Sequence, residues 1–118
     1  MINIGQVPLD RTLVNDLGTT IGQVFPSIFV MDIPGSFNSI LFATKTPSSW
    51  ENFEANYTQV IHNSSNPLLV DAMTMTMENQ QPTPPETRVY TDDRSPIEWV
   101  TNKIVIDFIL SGSVKELP

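Results

Sequence analysis

The chain has no cysteine among its 118 residues. That excludes a disulfide framework, a thiolate nucleophile and a cysteine-held zinc or iron–sulfur centre. Basic residues are scarce: six Lys and Arg stand against thirteen Asp and Glu, giving a formal net charge of −7 and a pI near 4.3. A protein that tracks nucleic-acid phosphates or sits on an anionic membrane needs a basic face, and this composition argues against both. Long apolar runs are missing too. The most apolar stretch, residues 97–110, is broken by Glu98, Lys103 and Asp107 and falls short of the roughly 20 residues that cross a bilayer; it reads as a buried helix. No basic region followed by an apolar stretch and a small-residue cleavage site opens the chain, so it does not read as a secretory signal. Neither Gly-x-Gly-x-x-Gly nor a Walker lysine motif occurs, so the chain carries no nucleotide-phosphate cradle of its own. The sole histidine, His62, stands beside Asn63 at an expected helix end with no serine or second metal ligand placed beside it, which favours a helix-terminal role over a base or a ligand. The sequons Asn56-Tyr57-Thr58 and Asn63-Ser64-Ser65 matter only in a secreted protein, and so short a pattern arises readily by chance.

What remains is a globular balance, with 40% hydrophobic and 16% charged residues, unlike the low-hydrophobicity mixture of a disordered chain. A domain of this length buries roughly two thirds of its unfolded surface. Met1 to Ile4 predicts a strand, left at Gly5. Asp10 then caps a helix whose apolar residues Leu13, Val14, Leu17, Ile21, Val24 and Phe25 recur at three- and four-residue steps up to Pro26. The runs Ile28 to Met31 and Ile40 to Ala43, joined through Pro34-Gly35-Ser36, predict an antiparallel hairpin. Beyond Pro47, Ser48 or Ser49 can cap a helix with the stripe Trp50, Phe53, Tyr57 and Val60 or Ile61. Leu68 to Met77 fits a helix or a strand, since Thr74 and Thr76 are poor helix formers. From Glu78 to Glu86 the Asn, Gln and Pro content predicts an extended loop with almost nothing to bury, and a last helix runs from near Pro96 to Gly112. The expected organisation is thus a single partial domain: strand, helix and hairpin over 1–47, a helical segment over 48–79, a Pro-rich loop over 80–95 and a C-terminal helix over 96–112. A parallel α/β sheet needs several consecutive βαβ units, and this order supplies only the tail of such a series. A first strand apolar on both faces would normally lie inside a sheet, and leaves an aggregation-prone edge if nothing pairs with it.

Two strings stand out. In Tyr90-Thr91-Asp92-Asp93-Arg94-Ser95-Pro96-Ile97-Glu98, Ser95 as N-cap, Pro96 at the first helical position and Glu98 three residues after the cap form a capping box. Capping does not require Asp92 and Asp93; they suit the helix N-terminus, and a direct role toward a ligand stays open. In Asp32-Ile33-Pro34-Gly35-Ser36-Phe37-Asn38, a hairpin turn with Gly35 in the left-handed region accounts for the residues. Loops at the carboxyl end of an α/β sheet also line the ligand crevice, and Gly5-Gln6 would open on that same side.

Together these strings resemble the C-terminal half of the spermidine synthase-like proteins, a group that includes versions fused to membrane-spanning segments. The resemblance runs from Ile2 to about Leu110. It implies a Rossmann-like class I methyltransferase sheet of α/β class, of which this chain would hold the C-terminal part: Met1 to Ile4 as the fifth strand, Leu13 to Phe25 as the following helix, and Ile28 to Asp32 with Ser39 to Thr44 as the last two strands, paired antiparallel. In that reading the first strand is a parallel one. The family's glycine motif, ribose-binding acid and catalytic aspartate all precede the fifth strand, so the resemblance assigns no catalytic residue to this chain and implies that it is inactive alone. The intact parent would use S-adenosylmethionine or its decarboxylated form as donor and a small-molecule amine as acceptor. Gln6, Asp32, Phe37, Asn38, Asp92 and Asp93 are the substrate-side candidates. Polyamine synthases carry a Tyr-Pro pair in the hairpin, whereas here Ile33 precedes Pro34, and amine specificity does not carry over.

The expected partners are the missing N-terminal part of the parent or a second copy completing the sheet, with no nucleic acid and no membrane contact from this segment, in the cytoplasm. A non-catalytic oligomerisation module is the alternative. A stand-alone hydrolase has no nucleophile and base placed together to support it.

Overall fold

A computed structural model describes residues 1–6, 10–63, 65–91 and 97–112. Over these residues the chain is mixed α and β: β1 (Ile2–Gly5), α1 (Thr12–Gly22), β2 (Ser27–Asp32), β3 (Asn38–Thr44), α2 (Trp50–Asn63), α3 (Pro67–Glu78), β4 (Gln80–Gln81) and α4 (Ile97–Leu110). No helix among them is long and apolar enough to cross a membrane.

Hairpin geometry sets the sheet. Gly35 adopts φ +69°, and the Ser36 N–H donates to the Ile33 carbonyl at 3.3 Å, so Pro34 and Gly35 occupy the two central positions of a β-turn, where each residue type is favoured. The turn returns β3 antiparallel to β2 in the register Phe29 to Phe42 and Val30 to Leu41. β3 then pairs on its other side with β1, Ile4 opposite Ser39, and β4 adds to β2, giving the order β1-β3-β2-β4. β1 and β2 therefore run parallel to each other without touching, because the returning β3 lies between them. The expected parallel strand is corrected accordingly: every adjacent pairing in the described sheet is antiparallel.

Period-two alternation of the strands creates two faces. Ile4, Val30 and Leu41 turn to one side and pack with Leu13 and Val14 of α1, Val100 and Ile104 of α4, and Tyr90. Phe29 and Met31 turn to the other side, where Phe29 meets Trp50 of α2 and Met31 meets Thr76 of α3.

Several local expectations change. α1 stops at Gly22 instead of running to Pro26, and Val24 is left exposed in the turn that follows. Asp10 does serve the start of α1, its Oδ1 accepting the Thr12 N–H at 3.0 Å. The ambiguous stretch after Asn66 is a helix. Asn66 Oδ1 accepts the Leu68 and Leu69 N–H groups, Pro67 opens the first turn, and Thr74 and Thr76 satisfy their hydroxyls on the Val70 and Ala72 carbonyls, each at 2.8 Å. The first two residues of the expected Pro-rich loop pair with β2 as β4. The described remainder, residues 82–91, is extended as expected; Pro84 packs where a side chain on Gly18 would stand, 3.3 Å from that glycine's ideal Cβ position, and beyond the Pro-rich part Tyr90 is buried. α4, expected to be a buried helix, covers only Val100 and Ile104 and leaves Trp99 and Leu110 61% and 78% exposed.

That exposure is part of a wider openness. The surface is 7896 Å², against roughly 6,400 Å² for a closed monomer of this mass. The radius of gyration is 16.1 Å, against roughly 13.5 Å for a compact chain of this length. β1 is an edge strand. The Gln6 N–H donates to the Phe37 carbonyl at 2.8 Å; in an antiparallel ladder such pairs alternate, so Ile2 and Ile4 bond toward β3, and the N–H and C=O groups of Asn3 and Gly5 face the outer edge.

Leu41, 1% exposed at the centre of the sheet, sets the stability scale. Leu41→Ala is expected to cost about 2–4 kcal/mol in urea unfolding, while Leu110→Ala on the open face is expected to stay within about 0.5 kcal/mol.

Candidate functional site

The carboxyl ends of β1 and β2 lie on the same side of the sheet, with β3 starting between them. Asp32 closes β2, and its carboxylate is the hub of a polar cluster. The Arg11 guanidinium grips it as a fork, Nη1 to Oδ2 at 3.0 Å and to Oδ1 at 3.2 Å, with Nη2 to Oδ1 at 3.2 Å. Ser39 Oγ, on a residue that is fully buried, donates to Oδ1 at 2.5 Å. Gln6, immediately after β1, donates its Nε2 to the same oxygen at 3.3 Å. Arg–carboxylate forks of this kind fix orientation as well as adding energy.

Three sequence-selected residues, Gln6, Asp32 and Phe37, are thus brought together, whereas alternation turns the Asn38 side chain to the opposite face of the sheet. Gln6 and Asp32 are hydrogen-bonded, the Phe37 carbonyl accepts the Gln6 N–H, and Asn38 stands opposite Gly5 in the β1–β3 register. The Phe37 ring meets Phe108 of α4 edge-on at 5.6 Å. Gln6, Phe37 and Gly5 line one end of an apolar cavity of about 470 Å³ that continues along β1 to Ile97, Thr101 and Ile104 of α4. The Gln6 Oε1 is buried and, among the described residues, has no hydrogen-bond partner. Buried polar atoms are nearly always satisfied, so this oxygen is an acceptor waiting for an N–H or O–H donor. Asp92, Asp93, Ser95 and Pro96 lie outside the described residues. Glu98 stands in the first turn of α4.

Sequence reasoning missed Arg11 and Ser39. Neither carries a local signal: the fork joins residues 21 positions apart, and only the strand register sets Ser39 against Asp32. It also missed a second polar cluster. Asp16, on α1, is 5% exposed; its Oδ1 accepts Thr87 Oγ1 at 2.7 Å and the Arg88 N–H at 3.3 Å, and its Oδ2 accepts the Tyr90 hydroxyl at 2.8 Å. Thr19 Oγ1 accepts the Thr87 N–H at 2.9 Å. This cluster straps the segment before α4 onto α1. Its signal was an acidic residue between Leu13 and Leu17 on an apolar helix stripe.

Chemically, the Asp32 cluster is suited to binding. Asp32 is matched by Arg11 and fully engaged, so local charge is balanced and the free acceptor is the Gln6 carbonyl oxygen. His62 is exposed in the last turn of α2, far in sequence from either cluster. Among the described residues no group of three His, Asp or Glu side chains can hold a metal ion. Comparison with protein-family models, with curated proteins and with solved structures finds no match.

The Tyr90 phenol is pushed up to about 12, first by burial and then by its bond to and the charge of Asp16, with Arg88 opposing. A phenol whose folded value is raised contributes stability that is complete below pH 10 and is lost as pH rises through about 12. Wild type is expected to lose roughly 2 kcal/mol more than Tyr90→Phe between those pH values. At neutral pH, Tyr90→Phe is expected to be less stable than wild type by about 1–3 kcal/mol, because Asp16 loses a buried donor. Urea unfolding of both proteins across this range measures each effect.

Proposed function

We propose that this chain is the C-terminal half of a cytoplasmic, spermidine synthase-like transferase domain with a Rossmann-like sheet. The intact parent moves an aminopropyl group from decarboxylated S-adenosylmethionine, or a methyl group from S-adenosylmethionine, to a small amine or related acceptor. In this reading the missing part supplies the donor site and the catalytic acid. The chain described above supplies one wall on the acceptor side, and the partner of β1 is the preceding part of the parent sheet.

The observation that carries the proposal is the open edge of β1, flanked by the exposed apolar residues of α4. An edge strand with outward N–H and C=O groups is a template for another strand. The excess of surface over that of a closed monomer, roughly 1,500 Å², is more than the ~800 Å² that each partner contributes to a standard interface. Three further features support the reading: β1 and β2 share one direction and are linked through α1, the β2–β3 pair forms the hairpin that the resemblance implies, and Gln6 and Asp32 gather at the strand ends where α/β sheets bind ligands. Asp32 is already neutralised by Arg11, so it does not by itself make an ammonium pocket. Gln6 Oε1 is the group assigned to the acceptor. A second copy across the same edge is the rival occupant, favoured by the same exposed strand.

Calorimetry of the chain against S-adenosylmethionine and its decarboxylated form is expected to show no binding; micromolar affinity would contradict the placement of the donor site in the missing part. In the parent, Gln6→Ala is expected to raise the acceptor KM about tenfold, the loss of one buried hydrogen bond, and to leave the donor KM unchanged. A doubled mass in light scattering of the isolated chain would favour the second copy.

A further inference from the structure

The face of the sheet opposite α1 and α4 holds a cavity that the acceptor-side reading does not use. It lies between β2 and β3 and the α2–α3 hairpin, has a volume of about 350 Å³, and is walled by Phe29, Phe42, Trp50, Phe53 and Met73. This is within the range of small-molecule sites, roughly 300–1,000 Å³.

Its shape is built into the hydrogen bonding. At one end Ser27 of β2 holds the lead-in to α2, its Oγ donating to the Ser48 carbonyl at 3.1 Å and accepting the Ser48 N–H at 2.9 Å. At the other end Thr76 of α3 reaches Met31 of β2, Oγ1 to Sδ 3.3 Å. Between them Tyr57 of α2 and Thr74 of α3 share a hydrogen bond of 3.1 Å, which sets the spacing of the two helices. The helix pair is thus fixed at its ends and propped in the middle, so a space persists where side chains would otherwise collapse onto the sheet.

The wall chemistry selects the occupant. Phe29 meets Trp50 edge-on at 5.1 Å and 71°, and Trp50 meets Phe53 at 5.8 Å and 86°. Such a chain of perpendicular rings offers both faces and edges to a further flat ring, the arrangement that aromatic pairs prefer. Thr44 and Thr76 donate their hydroxyl protons to the Thr46 and Ala72 carbonyls, Ser49 Oγ accepts the Asn52 N–H, and among the described residues the cavity lining carries no charged side chain. A charged guest would find no opposite charge on this wall, and desolvating it there would be unfavourable. Asn56, on α2 at the mouth, can meet one polar substituent at the guest's outer edge. We infer that this cavity is a binding site for a small, uncharged, planar aromatic molecule of one or two rings. The inference does not rest on the transferase reading.

The test is titration with 2-naphthol, followed through the methyl resonances of the methionines. Of the five methionines, Met73 alone lines the cavity, so a ring stacked inside shifts Met73 by its ring current and leaves Met1 and Met75 in place. Saturable binding in the micromolar to low-millimolar range is expected. Ala72→Phe, which fills the cavity from an exposed position on α3, is expected to keep the wild-type circular dichroism and weaken binding at least tenfold. Phe53→Ala, which removes a wall, is expected to do the same, and decanoate is expected to bind at least tenfold more weakly than 2-naphthol. An unmoved Met73 signal, equal affinity in Ala72→Phe, or decanoate binding as well as 2-naphthol would each overturn the assignment.

Discussion

Insertion of β3 between β1 and β2 is the constraint on which the rest of the structure depends. A tight turn at Pro34-Gly35 forces the chain to reverse, and the reversed strand bonds on both sides. Two of its residues, Ser39 and Leu41, are with Val30 of β2 the most deeply buried in the sheet. Leu41 anchors the apolar layer under α1, while Ser39 joins the Asp32 carboxylate at the strand end. Without β3 in that position Gln6 and Asp32 would lie on strands with no common neighbour, and the polar cluster would not form.

The two faces of the sheet are finished differently. Toward α1 and α4 an apolar cluster gathers around Val14, Val30 and Leu41 beside the cavity between β1 and α4, and the strap of Asp16, Thr87 and Tyr90 holds the extended segment that leads toward α4. A buried carboxylate is costly unless its lone pairs are satisfied, and Asp16 accepts three hydrogen bonds. Toward α2 and α3 the contact is made through a few braces around an aromatic cavity, and α2 has no buried residue. Among the described residues β1 has no second neighbour: it presents Asn3 and Gly5 outward, and α4 leaves Trp99, Ile106, Ile109 and Leu110 more than half exposed. On the side of α4 that faces β1, Ile97 and Val105 line the shared cavity and are 39% and 50% exposed.

Local chemistry made much of this legible in the sequence. Pro34-Gly35 between two β-branched runs fixed the hairpin, Ser49 and Asp10 marked helix starts, and Gln6, Asp32 and Phe37 converge because they flank strand ends. What was not legible depends on register and on distant pairing. Arg11 reaches Asp32 only because α1 starts beside the end of β2; Asp16 finds Thr87 and Tyr90 across 71 and 74 positions. The threonines of α3 read ambiguously because their propensity ignores the back-bonding that relieves them. α4 read as buried because its composition is apolar almost all round, a pattern that reports what a helix can bury and not what is there to cover it.

The central claim is that the outer edge of β1 is an internal position of a larger sheet. Amide hydrogen exchange at Asn3 and Gly5 tests it most directly, measured in this chain alone and in the product of its full reading frame. Ile2 and Ile4, bonded toward β3, serve as internal references. The account predicts fast exchange at Asn3 and Gly5 in the isolated chain and strong protection of both in the longer product. Equally fast exchange at both positions in the longer product would contradict it.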